Sequence, residues 1–186
     1  MTIRRLFVSL LIATSLMGPA TAAVSPDVRA AVEKLLSGYE PGDPAPALRR
    51  LGPQAAEALL AIAADPAVSP IRRLRAIEAL GHVPTPAGLA FLRKLIKEQQ
   101  ASQESLAVYQ VAAAARALGG FGQETVADAV PLLDHPGADV REGAAAALAQ
   151  VRTPEAMGAL TRRLRIERDP GVRAHLQAAV RPAKRR

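Results

Sequence analysis

The sequence contains no cysteine and no tryptophan among its 186 residues, and only 3% of its residues are aromatic. The missing cysteines exclude a disulfide scaffold, a thiolate zinc site, a cysteine nucleophile and a lipidated-cysteine anchor. The few aromatic rings argue against a surface on which the bases of single-stranded nucleic acid stack. Hydrophobic residues make up 49% of the chain, which is too large a share for a disordered protein. With 24 basic and 17 acidic side chains, the formal net charge is +7.

The first 22 residues have the three parts of a secretory signal peptide. A basic pair, Arg4 and Arg5, precedes an apolar run over residues 6–17, and the segment from Ala20 to Ala22 fits the small-x-small cleavage rule. The apolar run is shorter than the roughly 20 residues that a membrane span needs. We therefore expect cleavage after Ala22 and a periplasmic or secreted location in a bacterium, with either the general secretory or the twin-arginine route still open.

The rest of the chain contains a repeated unit. Segments that end at Leu80, Leu118, Leu148 and Val180 place apolar residues at the spacing of one helix face. The clearest example of this apolar stripe consists of Val140, Ala144, Ala147, Leu148 and Val151. Each stripe predicts one amphipathic helix per unit.

A second apolar helix follows each first one, and two of these helices match in register. Thr85-Pro86 and Thr153-Pro154 predict the start of that helix, because Thr is a good N-cap and Pro lacks only an N–H that has no helical partner. Pro131 falls inside the second helix of its unit and should shorten or kink it. Glycines that follow a leucine are predicted to end helices in the left-handed conformation: Gly52, Gly81 and Gly119.

These helix pairs predict an all-α fold, an α-solenoid in which antiparallel helix pairs stack into a right-handed superhelix. Each pair has one apolar face that it cannot bury alone, so neighbouring pairs must cover it. The predicted organisation is a signal peptide at 1–22, an N-terminal capping helix and linker at 23–42, a repeat array of about four to five units at 43–180, and a basic tail at 181–186.

The repeats resemble the short bacterial HEAT-like repeats of the phycobilin-lyase type. The segment from Val140 to Leu148 carries the resemblance best, and Asp169-Pro170-Gly171-Val172-Arg173 is close to the same pattern. Val111 departs from it, because an arginine is expected there. The resemblance implies a stack that binds proteins along its concave surface, which the second helices line. Some relatives are lyases that act on phycobiliproteins, but no residue here matches one specific to the lyases.

No pattern in the sequence indicates catalysis or a cofactor. The three histidines, His82, His135 and His175, have no spacing typical of metal ligands. Asp134-His135 with Asp139 is better explained as a polar turn between repeats. Neither a nucleophile elbow nor a phosphate-binding loop is present. We therefore expect no catalytic residue, no metal and no cofactor.

Three arginines share one position of the repeat: Arg73, Arg141 and Arg173. They could form a row of ligand-binding groups. We favour a structural role, in which each arginine bonds carbonyl groups or an acidic residue of an adjacent turn, such as Asp65 or Asp169, because the guanidinium fork suits such bonding.

Basic side chains on the second helices are the predicted partner-binding residues: Arg93, Lys94, Lys97, Arg162, Arg163 and Arg165. Together they could form a positive groove for an acidic segment of a protein partner of unknown identity. The sequence thus predicts a non-enzymatic, exported interaction scaffold with no transmembrane segment in the mature chain. The alternatives are a lyase or lyase subunit that handles a bilin-like ligand and, less in keeping with export, a protein that binds nucleic acid through a basic groove.

Overall fold

The computed structural model of the chain describes residues 24–37 and 43–181. The predicted signal peptide and almost all of the predicted basic tail lie outside these described residues. The described α-helices are α1 (Pro26–Ser37), α2 (Ala45–Leu51), α3 (Pro53–Ala64), α4 (Pro70–Ala79), α5 (Pro86–Gln99), α6 (Ser105–Leu118), α7 (Val126–Ala129), α8 (Ala138–Val151), α9 (Pro154–Ile166) and α10 (Pro170–Val180). Short 3-10 segments follow α4, α6 and α7, at Leu80–His82, Gly119–Thr125 and Val130–Asp134.

The helices form an α-solenoid, as the repeated pattern predicts. Helices α4, α6, α8 and α10 pack on one another in chain order, and we call them the first helices. Helices α3, α5 and α9 pack against the first helices as a second layer, and we call them the second helices. In the unit of α6, the short α7 with its 3-10 extension takes the place of a second helix. The described residues contain no strand.

One continuous apolar core runs along the stack, from Val32 in α1 to Leu176 in α10. Much of it consists of alanine, including the consecutive buried residues Ala112 to Ala115 of α6. Each buried CH₂ contributes only about 0.8 kcal/mol, so the stack depends on many small contacts rather than on a few large side chains.

The predicted helix starts are confirmed. The hydroxyl of Thr85 accepts a hydrogen bond from the N–H of Gly88 at 3.1 Å, and that of Thr153 accepts one from Ala156 at 3.2 Å. The proline effect is confirmed as well, because α7 has only four residues and Pro131 lies in the 3-10 segment that replaces the rest of the helix. The threonine caps thus fix where α5 and α9 begin, and Pro131 limits the length of α7.

The left-handed conformation predicted for three glycines occurs only at Gly52, where φ is +68°. The prediction is wrong for Gly81 and Gly119, whose backbones do not have positive φ. Glycine occupies both positions for another reason: because it has no side chain, turns of two neighbouring units can approach each other closely. A Cβ at Gly81 would lie 2.6 Å from the carbonyl oxygen of Ala117, and one at Gly119 would lie 2.9 Å from the Cα of Ala147.

Candidate functional site

The predicted partner-binding residues lie on two second helices, α5 and α9. Two pairs among them occupy equivalent repeat positions: Lys94 with Arg162, and Lys97 with Arg165. The members of each pair follow the N-cap threonine of their own helix by the same number of residues. Each of these two repeat positions therefore carries a basic side chain in both α5 and α9.

Two of the six predicted residues are bonded within the protein. Arg93 makes a forked ion pair with Asp128, with Nη2 at 2.8 Å and Nε at 3.0 Å from the same carboxylate oxygen. The hydrogen bond that Arg93 donates to Asp128 raises the pKa of Arg93. The side chain of Arg163 is only 16% exposed, and it bonds Glu167 at 2.9 Å and Asp134 at 2.8 Å. Both arginines hold neighbouring elements together and are less available to a partner.

The other four residues form an exposed basic surface, which we call the basic face: Lys94, Lys97, Arg162 and Arg165. Lys97, Arg162 and Arg165 are exposed and have no ion-pair partner among residues 24–37 and 43–181. Lys94 approaches Glu98 only at 3.9 Å, and the Lys94 side chain is 73% exposed. Exposed ion pairs at such distances contribute little free energy, so Lys94 remains available as well.

Apolar surface accompanies the basic face at α9. Ile166 is 64% exposed, which is unusual for an isoleucine in a well-packed stack. It lines a small cleft of about 160 Å³ together with Arg162 and Leu133. Asp134 and Arg163 line the cleft as well, so it combines apolar and charged side chains, as protein-binding surfaces commonly do.

The three arginines that share one repeat position, Arg73, Arg141 and Arg173, are called the arginine ladder below, and one of them makes a buried ion pair. Arg141 of α8 donates to both carboxylate oxygens of Glu167, from Nε at 2.9 Å and from Nη2 at 3.0 Å. Its Nη1 donates to the carbonyl oxygens of His135 and Pro136. The Arg141 side chain is 10% exposed and that of Glu167 is 1% exposed. This pair joins the start of a first helix to the end of the second helix that follows it.

Glu167 is ionised at any physiological pH. Burial alone would raise the pKa of Glu167, but hydrogen bonds from Arg141, from the backbone N–H of Asp169 and from Arg163 outweigh it and lower the pKa from 4.5 to about 2. The carboxylate therefore keeps its charge and compensates two nearby guanidinium groups.

The other two arginines of the ladder have different surroundings. Arg173 is exposed and donates from Nη1 to the carbonyl oxygens of Leu164 and Glu167. Arg73 bonds neither a carbonyl nor an acidic residue in the described part of the chain, and its Nε is buried without an acceptor there. This differs from the expectation that every ladder arginine bonds an adjacent turn. Asp65 and Asp169 instead accept backbone N–H groups, from Ala67 and Val172 respectively.

The histidines are dispersed. Nε2 of His135 donates to the carbonyl oxygen of Gln100 at 2.7 Å, and Nδ1 accepts the N–H of Gly137 at 2.9 Å. This use of both ring nitrogens fits the predicted polar turn. Within the described ranges, no group of three or more acidic or histidine side chains could hold a metal ion. Across the same residues, no helix combines the length and apolarity required to cross a bilayer.

Sequence reasoning missed Glu167 as the partner of Arg141, although a signal was available. Glu167 follows Arg141 by 26 residues, and Gln99 follows Arg73 by the same distance. Extending the comparison of the two units past their second helices would have shown this pair of positions. It would also have shown that one unit has a carboxylate there and the other an amide.

Comparison with known proteins gives one result. Residues 99–181 match the family model of HEAT repeats, a segment that covers somewhat less than half of the chain and includes helices α6 to α10. No curated protein and no solved structure gives a significant match. The match supports a HEAT-like repeat protein, and proteins built from HEAT repeats commonly mediate protein–protein interaction and are typically non-catalytic scaffolds.

Proposed function

We propose that this protein is a non-enzymatic scaffold that binds a partner protein through the basic face on its second helices. The observation that carries the proposal is the repetition of exposed cations at equivalent positions of α5 and α9. Lys97, Arg162 and Arg165 have no ion-pair partner among the described residues, whereas the neighbouring Arg93 and Arg163 are bonded internally. Because these three side chains make no ion pair within the described residues, they are available to bind a partner protein.

The chemistry of this surface favours an acidic segment of a partner. Opposite charges on two surfaces accelerate their encounter and select the orientation of the complex. The exposed Ile166 and its cleft add apolar area beside the cations. Arginine, the residue at positions 162 and 165, is among the residue types that most often contribute the largest part of the binding free energy of an interface.

We propose further that the mature protein works outside the cytoplasm of a bacterium, in the periplasm or after secretion. The three-part pattern of the first 22 residues supports this location. The resemblance to phycobilin-lyase-type repeats supports protein binding as the function, since binding is common to such stacks.

The test is capture of partners from the envelope fraction of the native host, quantified by mass spectrometry. We expect Arg162→Glu together with Arg165→Glu to reduce recovery of the main bound protein about tenfold, because each exposed charge pair contributes up to about 1 kcal/mol. The matched control is Arg49→Glu with Arg50→Glu, which reverses two exposed charges on α2. Equal recovery with both double variants, at unchanged helicity, would exclude the basic face as the binding surface.

A further inference from the structure

The units of α4–α5 and α8–α9 can be aligned residue by residue, and they differ at one chemically important position. Arg73 corresponds to Arg141, Thr85 to Thr153 and Gln99 to Glu167. In the later unit, a buried carboxylate lies against the ladder arginine. In the earlier unit, an uncharged amide occupies the position of that carboxylate.

The local backbone explains why the amide does not replace the carboxylate. Helix α9 ends at Ile166, and Glu167 has an extended backbone, with φ −66° and ψ 130°. Helix α5 instead continues through Gln99 before it ends. The Oε1 atom of Gln99 is buried without a donor, and Nε of Arg73 is buried without an acceptor, among the described residues. Buried polar groups without partners are rare in folded proteins and call for an explanation.

Both unpaired atoms belong to side chains that line one cavity. The cavity has a volume of about 370 Å³ and lies among α3, α4, α5 and α6. Gln110 of α6 also lines it, is only 8% exposed, and has no side-chain hydrogen bond within the described chain. Lys94 and Glu98 are further lining residues, and they lie 3.9 Å apart. With two cations and one anion around it, the cavity favours a negatively charged group.

We propose that this cavity receives the carboxylate of a glutamate side chain from the partner protein. The carboxylate accepts hydrogen bonds from the guanidinium group of Arg73, because the planar guanidinium matches two carboxylate oxygens. The amide N–H groups of Gln110 supply a further donor, and a backbone N–H of the partner segment donates to the unpaired Oε1 of Gln99. The inference rests on the proposed function, since Lys94 belongs both to the basic face and to the cavity wall.

The test uses a capped peptide, acetyl-Ala-Glu-Ala-amide, titrated into the protein and followed by NMR at the Nε–H signal of Arg73. We expect a saturable shift of that signal with a Kd in the millimolar range. The matched peptide acetyl-Ala-Gln-Ala-amide should bind at least tenfold more weakly, because it removes only the charge. A peptide with phosphoserine in the central position distinguishes carboxylate from phosphate recognition, and tighter binding of that peptide would overturn the proposal.

Two variants of the protein complete the experiment. Gln99→Glu should weaken binding of the glutamate peptide at least tenfold, since a second carboxylate in the wall of the cavity repels the bound one. Arg73→Gln, followed at the side-chain amide signals of Gln99 and Gln110, should abolish binding while the rest of the spectrum shows a folded protein, and it keeps the test decisive if Gln99→Glu does not fold. Equal binding of the two capped tripeptides, or unchanged binding by Arg73→Gln, would overturn the inference. These outcomes are separate from loss of partner capture at Arg162 and Arg165, which tests the proposed function.

Discussion

Gly143 of α8 lies directly against Ala112 of α6, so that a Cβ added to Gly143 would stand 2.5 Å from the carbonyl oxygen of Ala112. Contact this close is possible only because the glycine has no side chain. It joins two consecutive first helices at the centre of the stack. Close approach of the two backbones therefore adds to the apolar contacts that hold these helices together.

This relationship predicts opposite effects of alanine at two helical glycines. Gly143→Ala should lower the free energy of unfolding by about 1–2 kcal/mol, because overpacking outweighs the gain in helix propensity. Gly158→Ala in α9 is the matched control, since the nearest atom there is the flexible Nη1 of Arg162 at 3.3 Å. It should be neutral or up to about 1 kcal/mol stabilising. Urea unfolding measures both, and equal effects would show that α6 and α8 do not pack this closely.

Removal of the buried charge of Glu167 should strongly lower the free energy of unfolding. Glu167→Gln leaves Arg141 and Arg163 without their shared carboxylate, and breaking a buried ion pair typically costs about 3–5 kcal/mol. Glu98→Gln is the control, because the Glu98 side chain is 59% exposed and its ion pair is weak. The midpoint of thermal unfolding should fall strongly for the first variant and hardly change for the second. Similar midpoints for the two variants would contradict the role assigned to Glu167.

The same carboxylate predicts how stability depends on pH. The pKa of Glu167 is about 2 in the folded protein and about 4.5 without these contacts, so the unfolded chain binds the proton more readily. Its stabilising contribution, roughly 3 kcal/mol, is fully present above pH 4.5 and is lost as the pH falls towards 2. Unfolding free energies at pH 6 and pH 3 should differ less in Glu167→Gln than in the natural protein. An identical acid sensitivity would mean that other groups control it.

The predicted signal peptide gives a separate test. When the full chain is expressed in a bacterial host with an intact export pathway, mass spectrometry of the periplasmic protein should show a chain that begins at Ala23. Replacing Ala22 by a bulky Gln blocks the small-x-small site and should leave the longer chain. Recovery of only the uncleaved chain from the natural sequence would refute the signal peptide.

Much of the fold could be predicted because its determinants are local. The apolar stripes, the threonine caps at Thr85 and Thr153 and the effect of Pro131 depend on neighbours a few residues away. The glycine prediction failed for Gly81 and Gly119 because their role depends on turns of another unit, at Ala117 and Ala147. No local pattern contains that information.

The surroundings of the arginines could be predicted only in part for a similar reason. The sequence places Arg73 and Arg141 at one repeat position, but their partners lie 26 residues further along the chain. Whether a carboxylate reaches the arginine depends on where the second helix ends. The helix ends at Ile166, before Glu167, in one unit, and at Gln99 itself in the other. Likewise, the structure shows that Arg162 and Arg165 are exposed whereas Arg163 is bonded internally. The charge pattern of the sequence does not distinguish the three arginines.

Site-specific photo-crosslinking in the native host tests the central claim most directly. A benzoylphenylalanine at Thr161, an exposed position of the second helix α9, should crosslink to a partner protein. The same group at Ala146, an exposed position of the first helix α8, should give no such product. A partner crosslinked from Ala146 and not from Thr161 would place the binding surface on the first helices and contradict the account.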